Sequence, residues 1–214
     1  MREKIVVVDY GMGNLRSVVK ALEAVTDDQH AIYLSEHAEA VDEADRVVFP
    51  GQGAARDCMR ELTTRRLDKA VMKAANEKPF LGICMGMQVL MSHSEENDGV
   101  DCLGLYPGEV RHFEEMYENN QRLKIPHMGW NTIRHTRQHP LWANILDESR
   151  FYFVHSYYVD PQDESLTVGE TEYGRRFSAA IARDKVFAMQ CHPEKSSKAG
   201  LQLLRNFIFW NGEE

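Results

Sequence analysis

Chemistry in this chain concentrates at three short stretches. The first is Gly82-Ile83-Cys84-Met85-Gly86. A cysteine between two glycines, after an apolar run and before a helical one, fits the nucleophile elbow, the Gly-x-Ser-x-Gly arrangement with sulfur in place of oxygen. Glycine is needed there because the turn is tight and the backbone crowds the nucleophile. A following helix N-terminus favours the thiolate. The second stretch is His192-Pro193-Glu194. A thiolate nucleophile needs a base, and the base needs a group that orients it; His192 and Glu194 offer both, with Pro193 fixing the bend between them. The third is Pro50-Gly51-Gln52-Gly53, whose backbone can aim N–H groups at an oxyanion. The N–H groups of Gln52 and Met85 are the expected donors. Taken singly, each stretch has a plainer reading: a buried structural cysteine, a surface loop, and an ordinary Pro-Gly turn.

The elements around these stretches make the grouping meaningful. Residues 4–9 (KIVVVD), 31–34, 46–49 and 79–83 read as strands, the first as a run buried on both faces of a parallel sheet. Leu15, Val18, Val19, Leu22 and Val25 recur at helical spacing, and a helical stretch covers about 55–77. This βαβα order predicts a doubly wound, mostly parallel, flavodoxin-like α/β sheet. Strand carboxyl ends in such a sheet converge on one edge, so residues 50–53, 84 and 192 should meet there. Residues 102–113, 123–134, 151–159, 165–172, 177–183 and 185–190 read as strands of an antiparallel extension. A last helix over 196–210 should bury Leu201, Leu204, Phe207 and Ile208. There is no repeat, low-complexity segment or linker, so 1–214 is expected to form a single domain.

Composition narrows the partners. The 214 residues hold 25 Lys+Arg against 33 Asp+Glu, a net charge of −8, which argues against nucleic acid because phosphate contacts need clustered positive charge. Apolar runs fall far short of the roughly 20 residues of a membrane span, and the start of the chain lacks a signal-peptide pattern. The chain therefore reads as cytoplasmic. Cys58, Cys84, Cys102 and Cys191 show no Cys-x-x-Cys spacing, so no metal and no cofactor is expected. They read as reduced thiols.

Together the three motifs resemble the class I (triad) glutamine amidotransferases. The segments YGMGNLRSV (10–18), LGICMGMQVL (81–90), HMGWN (127–131), YFVHSYY (152–158) and HPEKSSKAG (192–200) are similar, within that class, to the glutaminase subunits of imidazole glycerol phosphate synthase, the HisH type. The resemblance spans nearly the whole chain. It implies that Cys84 attacks the amide of glutamine, that His192 carries the proton to departing ammonia, and that a thioester forms and hydrolyses. It implies that Gln88 and Glu96 hold the carboxylate and amino ends of glutamine, with Gly51, Ser156 and Tyr157 also in contact. It further implies a heterodimer with a (β/α)8-barrel cyclase subunit. There ammonia meets the nucleotide PRFAR and yields imidazole glycerol phosphate and AICAR. Asn14, Trp130, Tyr152 and Lys195 match family positions at that interface, although aromatics such as Trp130 and Tyr152 are more commonly core.

The sequence departs from the family pattern in places. Gln52 stands where an apolar residue is usual, a change that a backbone oxyanion hole should survive. Cys191 stands where Phe is usual and, on a strand, should point away from His192. Residues 54–55 also differ from the commonest form. Two other readings stay open on the sequence: a glutaminase subunit of another synthase (anthranilate, aminodeoxychorismate or pyridoxal phosphate), and a non-catalytic α/β scaffold subunit.

Overall fold

The computed structural model describes residues 2–114, 117–118 and 121–213. The first half alternates as expected: β1 (Glu3–Val8), α1 (Leu15–Glu23), β2 (His30–Ser35), α2 (Ala38–Asp42), β3 (Arg46–Gly51), α3 (Ala55–Thr64), α4 (Leu67–Glu77), β4 (Phe80–Cys84) and the single turn α5 (Met85–Gln88). The second half is strand-rich: β5 (His93–Ser94), β6 (Val100–Asp101), β7 (Gly108–His112), β8 (Tyr117–Glu118), β9 (Gln121–Arg122), β10 (His127–His135), β11 (Ser149–His155), β12 (Tyr157–Pro161), β13 (Thr167–Glu172), β14 (Arg176–Arg183) and β15 (Val186–Met189), closing on α6 (Ser197–Phe209).

The main sheet runs β2-β1-β3-β4-β15-β14-β12-β7-β5-β6. From β2 to β15 every pairing is parallel, the flavodoxin-like order. From β14 onward the pairings are antiparallel except for β7 with β5, which is parallel, and β13 leads off through β10 to β11. Period-2 alternation explains the double winding. Ile5 and Val7 face a core shared with Val18 and Leu22 of α1 and with Leu203, Leu204 and Phe207 of α6. Val6 and Val8 face the opposite core, with Leu62 of α3 and Val71 of α4. A strand whose neighbours alternate between two cores must be apolar throughout, which is why 5–8 is an unbroken run of Ile and Val.

Several expected boundaries shift. The helical stretch over 55–77 breaks at Arg66, which takes a left-handed conformation with φ 58°. The 151–159 strand breaks at Ser156, where the chain leaves β10 as its neighbour and joins β7 and β14. On α6 the buried face is Gly200, Leu203, Leu204, Phe207 and Ile208. The spacing predicts Leu201 on that face, yet it is 37% exposed because the i, i+3, i+4 stripe runs through Leu203 instead. Cys191 is not on a strand, since β15 ends at Met189. It is fully buried in the same core as Cys84.

Candidate active site

Strand register builds the site. Gly51 pairs with Cys84, and Met189 pairs with Ile83. The 50–53 turn, the cysteine and the segment after β15 therefore leave the sheet side by side at its carboxyl edge. Cys84 sits between β4 and α5 with φ 55° and ψ −110°, a conformation that costs energy for a residue with a Cβ and aims the thiol out of the sheet. The flanking glycines are steric necessities. A Cβ on Gly86 would lie 1.8 Å from the Phe49 carbonyl oxygen, and one on Gly82 would lie 2.8 Å from both Ala188 Cβ and Gly86 O.

His192 donates from Nδ1 to Glu194 Oε1 at 2.9 Å; both side chains are almost wholly buried, at 6% and 3%. With Nδ1 so engaged, the ring's other nitrogen faces Cys84, in a contact looser than a full hydrogen bond. Burial opposes charge on the ring, but the Cys84 sulfur and the Glu194 carboxylate outweigh it and push His192 up to about 10. Burial acts the other way on the remaining cysteines: it holds Cys191 well above its ordinary value and pushes Cys58 and Cys102 up to about 12. Those three stay protonated thiols and poor nucleophiles.

The His-Pro-Glu turn is clamped from outside. Ser196, a buried residue that the sequence shows only as one position of the 192–200 segment, donates from Oγ to the His192 carbonyl at 2.5 Å and accepts from the Tyr152 N–H at 2.9 Å. The His192 N–H donates to the Tyr152 carbonyl at 2.9 Å. Tyr152 thus has a structural tie to the base. A gap of about 10 Å³, room for no more than one water, is lined by Asn14, Gly51, Gln52, His192 and Glu194 among others. A wider cleft of about 730 Å³ around His135, Arg137 and Trp142 contains none of the candidate site residues.

Gln88 is buried and donates from Nε2 to the Tyr157 carbonyl at 3.1 Å and to Gln190 Oε1 at 3.0 Å; it is not a solvated helix residue. Glu96 accepts from the Ala55 N–H at 2.6 Å, which ties the 93–98 segment to the start of α3. Gln52 is exposed, and Met85 starts α5, where backbone N–H groups lack intrahelical partners. Asn14 and Trp130 are exposed, while Ser156, Tyr157, Tyr152 and Lys195 are half-buried. Trp130 and Tyr152 pair across β10 and β11 with ring centroids 6.1 Å apart. Met128, on the same strand as Trp130, is 61% exposed. Among the described residues no helix is long and apolar enough to cross a membrane, and no group of three or more His, Cys, Asp or Glu is placed to hold a metal.

A thiol on a strained elbow, facing a histidine oriented by a glutamate at the carboxyl edge of a 2-1-3-4 sheet, is the architecture of a cysteine-dependent amide hydrolase. Residues 6–210 match the family model for glutamine amidotransferase class-I, and the chain belongs to that family. Within it the chain is 55% identical over 209 residues to imidazole glycerol phosphate synthase subunit HisH of Hydrogenovibrio crunogenus, covering 98% of this chain and 97% of that one. It is 52% identical to subunit HisH 1 of Pseudomonas aeruginosa over 99% of both. The solved structure of PurLQS from Thermotoga maritima superposes with a TM-score of 0.70 at 18% identity, over 97% of this chain and 98% of that one, a likeness of fold.

Proposed function

We propose that this chain is the glutamine-hydrolysing subunit of an imidazole glycerol phosphate synthase in histidine biosynthesis, with residues 1–214 forming one amidotransferase unit. Cys84 is the nucleophile: its thiolate bonds to the side-chain carbonyl carbon of glutamine. His192 gives its Nε2 proton to the departing nitrogen, which leaves as ammonia. The thioester is then attacked by water, whose proton returns to His192, and glutamate is released. Glu194 fixes the ring so that Nε2, not Nδ1, faces the sulfur. The N–H groups of Gln52 and Met85 receive the oxyanion. Gly51, Gln88, Glu96, Ser156 and Tyr157 hold the rest of glutamine. The observation that carries this reading is the 2.9 Å His192–Glu194 bond, which turns the ring toward Cys84.

Ammonia released here passes to a cyclase subunit, a (β/α)8 barrel in a cytoplasmic heterodimer, where it converts PRFAR to imidazole glycerol phosphate and AICAR. Asn14, Trp130, Tyr152 and Lys195 form the docking face. Exposed Trp130 and Met128 on one strand support this, since aromatic and methionine side chains are enriched at interfaces. Delivery must be confined because ammonium is not a nucleophile. The test is Cys84→Ala in the assembled synthase. Glutamine-dependent product formation should fall by at least 10³-fold, while ammonia-dependent formation stays near wild type. Loss of both would mean that Cys84 holds the fold or the interface rather than the chemistry.

A further inference from the structure

We propose that His127, His155 and Gln190 are positioning residues in a chain of hydrogen bonds from β10 to the sulfur of Cys84, two arms of which, through His155 and through Gln88, both donate to the Tyr157 carbonyl and are fixed by it. The proposal rests on Cys84 being the nucleophile, as read above.

The donor and the acceptor of each bond follow from the chemistry of the groups. The Tyr157 carbonyl can only accept, so His155 must carry its proton on Nδ1, 2.7 Å away. Neutral His155 then has Nε2 as an acceptor, so His127 must donate to it from Nδ1, at 2.9 Å. His127 Nε2 is left as an acceptor, and the amide nitrogen of Asn131 lies 3.3 Å from it. That amide cannot be turned round, because its oxygen accepts from the Thr132 N–H at 2.8 Å and its nitrogen donates to the Glu172 carbonyl at 2.8 Å. Each tautomer is thus dictated by its neighbour.

At the other end the Tyr157 carbonyl takes a second proton, from Gln88 Nε2 at 3.1 Å. Gln88 spends its remaining amide hydrogen on Gln190 Oε1 at 3.0 Å. Gln190 is thereby oriented with its nitrogen toward Cys84, donating to Sγ at 3.7 Å. A donor on the sulfur stabilises the thiolate over the thiol. The burial is hard to explain otherwise. His127 is sandwiched between Phe153 and Tyr173, with ring centroids at 4.9 and 4.1 Å, a setting that would take phenylalanine if packing were all that mattered.

That contrast supplies the test, on this chain assembled with its cyclase. His127→Phe keeps the stack and removes the donor, leaving His155 Nε2 unmet. His127→Asn loses ring contacts but keeps an N–H where Nδ1 stood. Expected is a glutaminase kcat about tenfold lower for His127→Phe, with its melting temperature near wild type, and kcat within about threefold of wild type for His127→Asn despite lower stability. A packing role reverses that ranking, and the reversed ranking, or equal loss in both, overturns the proposal. Should His127→Phe fail to fold, Gln190→Met serves in its place. Alkylation of Cys84 by iodoacetamide should slow about tenfold in that variant, and a wild-type rate would refute the chain. An inactive wild-type complex would instead indict the glutaminase reading itself.

Discussion

Glu194 has one carboxylate oxygen on the ring of His192 and a second with no hydrogen-bond partner among the described residues. Its charge is therefore spent on a single task, holding a buried imidazolium. Replacing Glu194 with glutamine leaves an oxygen able to accept from Nδ1 but removes the charge. Against burial, which lowers the ring's proton affinity, only the cysteine sulfur would then remain to raise it. The His192 titration midpoint should fall, and kcat should drop on the order of 10²-fold, the usual share of an oriented acid–base group. Ring-proton NMR against pH reads the first and steady-state turnover of the assembled complex reads the second. A midpoint that stays put would show that the carboxylate does no electrostatic work on the ring.

Helix α6 holds the turn that carries this pair, and the hold is backbone against backbone. A Cβ on Gly200 would lie 1.9 Å from the Pro193 carbonyl oxygen and 2.8 Å from Ser196 Cβ. Two effects compete in Gly200→Ala. Helix propensity favours alanine by up to about 1 kcal/mol, whereas overpacking a rigid contact costs about 1–3 kcal/mol. The clash is with backbone, so it should win: the variant should be about 1–2 kcal/mol less stable to urea, and its kcat should fall because the 192–194 turn has moved. A variant as stable as wild type would mean that the helix can slide. This contact also marks how far the sequence could be read. The runs at 5–8, 46–49 and 80–83 announce strands because burial on both faces leaves no other composition, and the elbow and His-Pro-Glu are local in sequence. Gly200 and Ser196 act on the 192–196 turn, whose conformation composition does not announce, and Ser196 with Tyr152 and the Gln88–Gln190 pair join partners that only the folded sheet brings near. His127 and His155 were hidden for the same reason: a histidine among aromatics on a strand reads as core until its neighbour across the ladder is known. Leu201 and Leu204 stand three apart, a spacing that suits a helical stripe as well as that of Leu204 and Phe207 does, and only packing chooses which of the two faces is buried.

At the scale of the whole molecule, buried histidines tie stability to acidity. Burial holds His155 down to about 3 and His127 down to about 4, against an ordinary value near 6.5. Between pH 6.5 and about 4 the unfolded chain therefore binds protons that the folded chain refuses, and stability must fall as pH falls through that window. Each fully shielded histidine contributes about 1.4 kcal/mol per pH unit. His155 alone thus removes roughly 3 kcal/mol by pH 4.5, with a smaller share from the less enclosed His127, out of a total on the order of 5–15 kcal/mol. Other groups do not blur the window above about pH 5. Asp27, Asp147 and Asp163, held below the ordinary carboxylate value by their hydrogen bonds, begin to act near pH 5 and weigh mainly below about pH 4. His192, held high, is protonated in both states over most of that window. His135, lowered by burial, adds in the same direction. Urea midpoints at pH 7, 6, 5 and 4.5 should decline steadily below 6.5, and His127→Phe should decline less steeply than wild type, because one of the refused protons no longer exists. A flat wild-type profile down to pH 4.5 would mean that the pair accepts protons in the folded state, and the fixed tautomers of the chain to Cys84 would fall with it.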